Sequence, residues 1–185
     1  MTLLADPATP LKDLARALSF SALKHRDQRR LDAAASPYIN HPIALMEILI
    51  DAGVTDVATL SGALLHDTVE DTDTSLSELE KDFSAEISSL VSEVSDDKAL
   101  PKNERKLLQV EHAATLSPKA KLIKMADKIA NLTDIVASPP PSWTLTRKRN
   151  YFDWAKEVVT ALGYSPDPVR VALMVRFEKA YSLRP

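Results

Sequence analysis

The sequence predicts an all-α fold, a bundle of about eight to ten helices that forms a single domain over residues 1–185. Apolar residues recur at the three- and four-residue spacing of helices. Long runs of alternating β-branched residues, which are typical of strands, are missing, and the chain holds only 3 glycines. Its 185 residues, 45% of them hydrophobic, are enough to bury the core of one ordinary globular domain.

The first half of the chain predicts four helices in order. The first covers Pro10 to Arg30, where leucine and alanine recur every fourth residue. Pro42 suits the first turn of the second helix, and Gly53 ends it. The almost uncharged run from residue 57 to 65 begins a third helix, which continues through the doublet His66-Asp67. A capping-box pattern at Ser75–Glu78 starts a short helix that ends near Phe83.

The second half predicts five further helices, with the three prolines after Ser138 forming a loop within the domain. These helices are expected over Ala85–Val94, Lys102–Ala114, Pro118–Ile135, Leu145–Leu162 and Pro166–Tyr181.

Charge and composition narrow the function classes. The net charge is −3, yet basic residues cluster locally, which favours a small anionic ligand over a nucleic acid polymer; the alternative is that the clusters are solvated helix faces. The absence of cysteine excludes disulfides and thiolate chemistry. No apolar stretch reaches the roughly 20 residues of a membrane span, and Met1–Pro7 lacks the pattern of a signal peptide. We therefore expect a cytoplasmic protein without a membrane partner; no feature predicts an oligomeric state.

The segment from His66 to Asp71 carries the strongest chemical signal. His66 and Glu70 are four residues apart, as are Asp67 and Asp71, so each pair would share one side of a helix. Burying such groups after an apolar run costs several kcal/mol (order of magnitude) unless something pairs with them, and a divalent metal would do so. The alternative is a surface turn of acids at a helix end.

Two further residues complete a metal-binding set. His41 lies next to a helix start, and the alternative is that it is a capping or packed residue. Asp127 belongs to a narrow polar stripe with Lys124 and Asn131, and the alternative is that this stripe is simply solvated. Together with His66 and Asp67 they form a mixed nitrogen and oxygen set suited to Mn²⁺, Fe²⁺ or Zn²⁺. No P-loop, nucleophile elbow or Gly-x-Gly-x-x-Gly competes with this set, so a metal-dependent hydrolase is indicated.

Six motifs stand in order over roughly residues 15–180: His25–Arg30, Pro37–Pro42, Ala63–Thr72, Asp96–Lys106, Lys124–Leu132 and Tyr151–Ala155. Together they resemble the HD-domain hydrolases of the RelA/SpoT group. Within that group the resemblance is to the single-domain small alarmone hydrolases, which include the metazoan SpoT homologue.

The resemblance implies a manganese-dependent 3′-pyrophosphohydrolase that converts ppGpp or pppGpp to GDP or GTP plus pyrophosphate. It implies Mn²⁺ ligation by His41, His66, Asp67 and Asp127, and positioning or activation of water by Glu70 and Asp71. It also implies nucleotide contacts: Arg30 against the guanine, Lys102 and Arg105 near phosphates, and Asn131 and Tyr151 along the nucleotide. The chain is too short for the synthetase and regulatory domains of long RelA/SpoT enzymes, so synthesis is not expected.

One departure from the resemblance leaves substrate preference open. Leu31 stands where the metazoan homologue has a lysine after the paired arginines. Alternatives on the same site are removal of the 2′-phosphate of NADPH and hydrolysis of an adenine alarmone. Two non-enzymatic alternatives are a protein that binds ppGpp without cleaving it, which the intact Glu70 and Asp71 disfavour, and a purely structural helical protein.

Overall fold

A computed structural model describes residues 9–185, and the expectation about Met1–Pro7 lies outside the described residues. The described part contains ten α-helices, one short 3₁₀ helix (Ala113–Thr115) and no strand beyond a single isolated bridge. The all-α prediction is thus confirmed. The helices are α1 (Thr9–Lys24), α2 (Asn40–Asp51), α3 (Val57–Leu65), α4 (Thr68–Asp71), α5 (Leu76–Asp82), α6 (Ala85–Val94), α7 (Lys102–His112), α8 (Pro118–Ala137), α9 (Leu145–Ala161) and α10 (Pro168–Tyr181).

Helix α8 lies at the centre of the bundle. It packs against α2, α3, α6, α9 and α10, and apolar residues such as Ile123, Met125 and Leu132 are fully buried along it. Phe152 of α9 and Phe177 of α10 belong to the same core. A side chain on α8 is therefore held by neighbours on most sides, which suits precise placement of polar groups.

Side-chain caps fix several helix starts where the sequence predicts them. Ser75 accepts a hydrogen bond from the Glu78 N–H at 3.1 Å, and Ser117 accepts one from Ala120 at 3.3 Å. Gly53 follows α2 with φ +99°, a left-handed conformation that favours glycine. These local signals make the bounds of α5, α6 and the start of α8 agree with prediction.

The first predicted helix is too long. Helix α1 ends at Lys24 and not at Arg30. The reason is that the backbone after His25 pairs with residues further along the chain: Arg30 N–H donates to the Ser36 carbonyl at 2.8 Å, and Tyr38 N–H donates to the Gln28 carbonyl at 3.1 Å. Residues 25–39 therefore form a folded loop that brings Arg30 beside α8.

The predicted helix through His66-Asp67 is also wrong, because it is broken at that doublet. Helix α3 ends at Leu65, and the Thr68 hydroxyl donates to the Leu65 carbonyl at 2.7 Å. A new turn, α4, then begins after Asp67. His66 and Asp67 consequently lie at a junction between two helices, where both side chains can turn toward one point.

No helix within residues 9–185 combines the length and apolar character that crossing a membrane requires.

Truncating a core leucine far from the polar junction should destabilise the protein strongly. Leu173 of α10 is fully buried, so Leu173→Ala is expected to lower the free energy of unfolding by about 2–5 kcal/mol, through lost transfer energy and a cavity. The same substitution at Leu107 of α7, which is 57% exposed, should change it by less than about 0.5 kcal/mol. Urea unfolding followed by circular dichroism measures both, and equal losses would contradict the position of Leu173 in the core.

Candidate active site

Four predicted side chains converge where three parts of the bundle meet. His41 lies in the first turn of α2, His66 and Asp67 lie at the α3–α4 junction, and Asp127 lies in the middle of α8. Both imidazoles are buried, at 3% and 5% exposure. The packing of α2 and α3 on α8 therefore gathers residues that are distant in the sequence.

The distances are those of a compact ligand cluster. His41, His66 and Asp127 each offer one ligand atom, and these atoms lie within 4.8 Å of one another. The Asp67 Oδ2 atom lies 2.9 Å from His66 Nε2 and 3.9 Å from His41 Nε2, which places this carboxylate against the same cluster. His41 Nε2 lies 3.3 Å from Asp127 Oδ1.

These residues fit a divalent cation. The His66 Nδ1 atom donates to the Ala63 carbonyl at 2.9 Å, which leaves the Nε2 lone pair directed to the cluster. That buried Nε2 atom makes no hydrogen bond although Asp67 Oδ2 lies 2.9 Å away, because with the proton on Nδ1 both of these atoms are acceptors. An orphaned imidazole nitrogen beside two carboxylates is the donor set that Mn²⁺, Fe²⁺ and Zn²⁺ accept.

Electrostatics keep both carboxylates charged. Burial alone would raise the pKa of Asp67, but the imidazoles of His66 and His41 outweigh it and hold that pKa well below its usual range. Burial would likewise raise the pKa of Asp127, yet the Lys128 ammonium and His41 hold it far below normal. Burial lowers the pKa of His41 itself, which favours the neutral ring that metal binding requires.

Tyr38 is a site residue that the sequence reasoning missed. Its hydroxyl donates to Asp67 Oδ2 at 2.5 Å and so fixes the orientation of that carboxylate. Burial and the nearby Asp67 charge raise the pKa of Tyr38, so the phenol stays protonated and remains a donor. The available signal was its place in the segment Pro37–Pro42, two residues before helix α2 begins at Asn40.

Glu70 and Asp71 line the same cavity as the cluster, a space of about 180 Å³. Glu70 accepts a hydrogen bond from the Asp96 N–H at 3.1 Å and one from Arg105 at 3.3 Å. Asp71 accepts hydrogen bonds from Lys98 and, at 3.1 Å, from Gln28. Burial raises the pKa of Glu70, and neighbouring carboxylates add to this effect although the Asp96 N–H opposes it. A carboxylate with a raised pKa beside a group of cation-binding side chains is suited to accept a proton.

A larger cavity of about 470 Å³ opens onto the cluster, and His41 and Tyr38 line both spaces. Four of the five residues predicted to contact a nucleotide line this larger cavity: Arg30, Lys102, Asn131 and Tyr151. The volume falls within the range of small-molecule sites, which is about 300–1,000 Å³. The small cavity that holds the ligand cluster and the acids Glu70 and Asp71 is therefore continuous with the larger, ligand-sized pocket.

Arg105 is placed differently from the other four. It does not line the large cavity; its guanidinium contacts Glu70 and lies 3.8 Å from Asp96. Arg30 is held on the pocket wall by Asp134 at 2.7 Å and lies over the Tyr38 ring. The structure thus brings Arg105 to the acids and not to the pocket, and a contact of Arg105 with phosphate stays a prediction.

Trp143 and Asp134 are pocket residues that the sequence reasoning also missed. The Trp143 ring packs on Tyr151 with centroids 5.7 Å apart, and its indole N–H is buried without a partner. The Arg147 guanidinium also lies over the Trp143 ring, 4.3 Å from its centroid. The available signal was a tryptophan two residues after a run of three prolines.

Comparison with known proteins agrees with this site. The family model described as HD domain matches residues 17–151. A human protein named guanosine-3′,5′-bis(diphosphate) 3′-pyrophosphohydrolase MESH1 is 55% identical over 167 residues, covering 90% of this chain and 93% of its own length. The MESH1 protein of Drosophila melanogaster is 51% identical over 146 residues, covering 78% of this chain and 82% of its own.

A solved structure shows the same similarity in three dimensions. It is described as a metazoan ortholog of SpoT that hydrolyzes ppGpp and plays a role in starvation responses. The TM-score is 0.85 at 44% sequence identity, with 95% of this chain and 98% of that chain covered. The chain belongs to the HD domain family, within the group of small RelA/SpoT-type proteins that contains MESH1.

Proposed function

We propose that this chain acts as a single-domain, metal-dependent hydrolase that removes the 3′-pyrophosphate of ppGpp and pppGpp. The observation that carries the proposal is the continuity of a nucleotide-sized pocket with a cluster of His41, His66 and Asp127 and with the acids Glu70 and Asp71. The names of the relatives at 55% and 51% identity supply the substrate class.

We assign the cation site to His41, His66, Asp67 and Asp127, with Mn²⁺ as first choice and Zn²⁺ or Fe²⁺ as alternatives. A cation held there would lower the pKa of water and polarise a phosphoryl oxygen. The chain's own contribution is the fixed placement of the ligands: Tyr38 holds Asp67, and the Ala63 carbonyl holds the His66 ring.

Glu70 takes the proton of the attacking water in this proposal, and Asp71 holds that water in place. Water adds to the phosphorus bonded to the ribose 3′ oxygen and that P–O bond breaks. The freed 3′ oxygen takes up one proton, either the one that Glu70 accepted or one from solvent, and Glu70 returns to its ionised form. The products are GDP or GTP plus pyrophosphate. Burial raises the pKa of Glu70, which makes its ionised form a better proton acceptor than an ordinary carboxylate.

The pocket residues bind the rest of the nucleotide. Arg30, pinned by Asp134, offers a planar cation against the base, while Lys102 supplies charge for the phosphates. Asn131 and Tyr151 line the wall between the base and the cluster. No glycine-rich cradle is needed, because cationic side chains can hold the phosphates.

Leu31 bears on a second candidate reaction, removal of the 2′-phosphate of NADPH or attack on an adenine alarmone. This side chain is 64% exposed on the wall of the large cavity. A leucine there cannot form the ion pair with a substrate phosphate that a lysine would form. Rates on ppGpp, pppGpp, pppApp and NADPH at equal concentration, with Mn²⁺, rank the substrates, and the proposal expects ppGpp or pppGpp to have the highest kcat/KM.

Restoring a positive charge at this position should tighten substrate binding. A partly solvated charge contributes about 1 kcal/mol at most, so Leu31→Lys is expected to lower KM for ppGpp by up to about fivefold with kcat nearly unchanged. Steady-state kinetics at two salt concentrations checks this, because added salt should shrink the gain. Leu107→Lys adds the same charge at another exposed leucine outside the pocket and should leave KM unchanged. Equal changes in both variants would contradict a local role of position 31.

A further inference from the structure

A chain of hydrogen bonds connects Asp127 of the cation cluster to Glu70, and both residues line the small cavity. Lys128 of α8 is 2% exposed, and its ammonium donates to Asp127 Oδ2 at 2.9 Å and to Gln109 Oε1 at 3.0 Å. The Gln109 amide nitrogen, on α7, donates to both carboxylate oxygens of Asp96, at 2.9 and 2.7 Å. The link from Asp127 to Asp96 thus passes through two side chains, those of Lys128 and Gln109.

Asp96 in turn holds Glu70. Its backbone N–H donates to Glu70 Oε2 at 3.1 Å. Its carboxylate lies 3.8 Å from the Arg105 guanidinium, which donates to the other Glu70 oxygen at 3.3 Å. Both oxygens of Glu70 therefore depend on where Asp96 sits, and Gln109 makes two hydrogen bonds to the Asp96 side chain.

The chemistry of the two neighbours requires an amide at position 109. Lysine only donates and an ionised aspartate only accepts, so the side chain between them must accept on one side and donate on the other. Gln109 satisfies both requirements in one orientation. A carboxylate would set two negative oxygens against each other at Asp96, and an apolar side chain would leave Lys128 and Asp96 each short of a partner.

The surroundings restrict the movement of this chain of bonds. The Trp154 ring covers the Lys128 ammonium at 4.2 Å, and its indole N–H donates to the Lys106 carbonyl of α7 at 3.0 Å. Gln109, Lys128 and Trp154 line the small cavity together with the cluster. The amide therefore bridges α7 and α8 at the active site itself and not on a remote surface.

We propose that Gln109 is a positioning residue that sets the distance between Glu70 and the cation site, acting through Lys128 on one side and Asp96 on the other. Its amide bonds to Lys128 and Asp96 and not to Glu70 or to the cation ligands, so its effect passes through those two neighbours. The proposal rests on the proposed function insofar as Glu70 activates water, while its effect on the cation site stands apart from the identity of the substrate.

The test is Gln109→Met, which keeps the length of the side chain and removes both hydrogen-bonding ends. Loss of such outer contacts typically costs about 10–100-fold, so kcat for ppGpp should fall by that factor with KM within about threefold of wild type. The affinity for Mn²⁺, measured by titration with electron paramagnetic resonance detection of the free ion, should fall by about tenfold. Glu111→Met introduces the same residue at an exposed position of α7 and should change neither quantity.

A double variant separates positioning from a general loss of structure. If Gln109 acts on kcat through Glu70, then at saturating Mn²⁺ Gln109→Met should lower kcat by less than about twofold when added to Glu70→Gln, because the group it positions is already gone. Full multiplication of the two losses would overturn the proposal. So would a wild-type kcat and Mn²⁺ affinity in Gln109→Met.

A variant that fails to fold and a wild type without activity each have a defined consequence. If Gln109→Met does not fold, Gln109→Asn keeps the amide one methylene short of its partners and should show the same fall in kcat against a stable KM; an unchanged kcat would overturn the proposal. If wild type releases no GDP from ppGpp, the proposed function fails, and the Mn²⁺ affinities alone decide whether Gln109 positions the cation site.

Discussion

His66→Ala is expected to abolish both metal binding and hydrolysis. The substitution removes the Nε2 atom of His66 from the cluster, while the carboxylates of Asp67 and Asp127 remain 3.9 and 3.3 Å from His41 Nε2. Such a cation provides several kcal/mol of transition-state stabilisation. Since about 1.4 kcal/mol is tenfold in rate, kcat/KM should fall by about a thousandfold or more.

The measurement pairs metal content with activity. Elemental analysis after dialysis against Mn²⁺ should find about one ion per wild-type chain and almost none in His66→Ala. His112→Ala makes the same change at an exposed histidine of α7 and should leave both readings at wild-type values. Retained metal and full turnover in His66→Ala would contradict the assignment of the cation site.

Glu70→Gln should separate catalysis from metal binding. Glu70 lines the cavity without belonging to the compact ligand group, so the variant is expected to hold Mn²⁺ as wild type does. Loss of a general base costs about 10²–10⁴-fold, which should appear in kcat with little change in KM. Glu111→Gln, on the exposed side of α7, is the matched control.

The pH dependence gives the same residue a second signature. Burial raises the pKa of Glu70 above the ordinary value of 4.5, and the base must be ionised to accept a proton. The wild-type rate should therefore fall as pH drops through that raised pKa, and this acid limb should be absent from the residual rate of Glu70→Gln. An unchanged limb in the variant would assign the proton transfer to another group, with Asp71 the next to test.

Local patterns in the sequence were enough for most of the fold. A serine cap accepts a hydrogen bond from a backbone N–H three residues later, and a proline favours the first turn of a helix. Both signals are local, so the helices that begin at Leu76, Ala85 and Pro118 start where the sequence predicts. The end of α1 was not predictable in this way, because the Arg30 N–H bonds to a carbonyl six residues later in a loop with no periodicity.

The same distinction between local patterns and long-range contacts applies to the candidate site. Histidine and aspartate stand out by residue type, so the members of the cluster were identifiable before their proximity was known. The break at His66 was not predicted, because the Thr68 hydroxyl that bonds to the Leu65 carbonyl there has no distinctive pattern in the sequence. Gln109 and Tyr38 were missed because a neutral polar side chain has no distinctive spacing, and its role appears only when Asp96 or Asp67 is seen beside it.

The measurement that tests the central claim most directly is product analysis by anion-exchange chromatography after incubating the protein with ppGpp, with added Mn²⁺ or with EDTA. The account predicts GDP and pyrophosphate in equal amounts with Mn²⁺, and neither product with EDTA. Intact ppGpp in the presence of Mn²⁺, or cleavage that EDTA does not prevent, would contradict it.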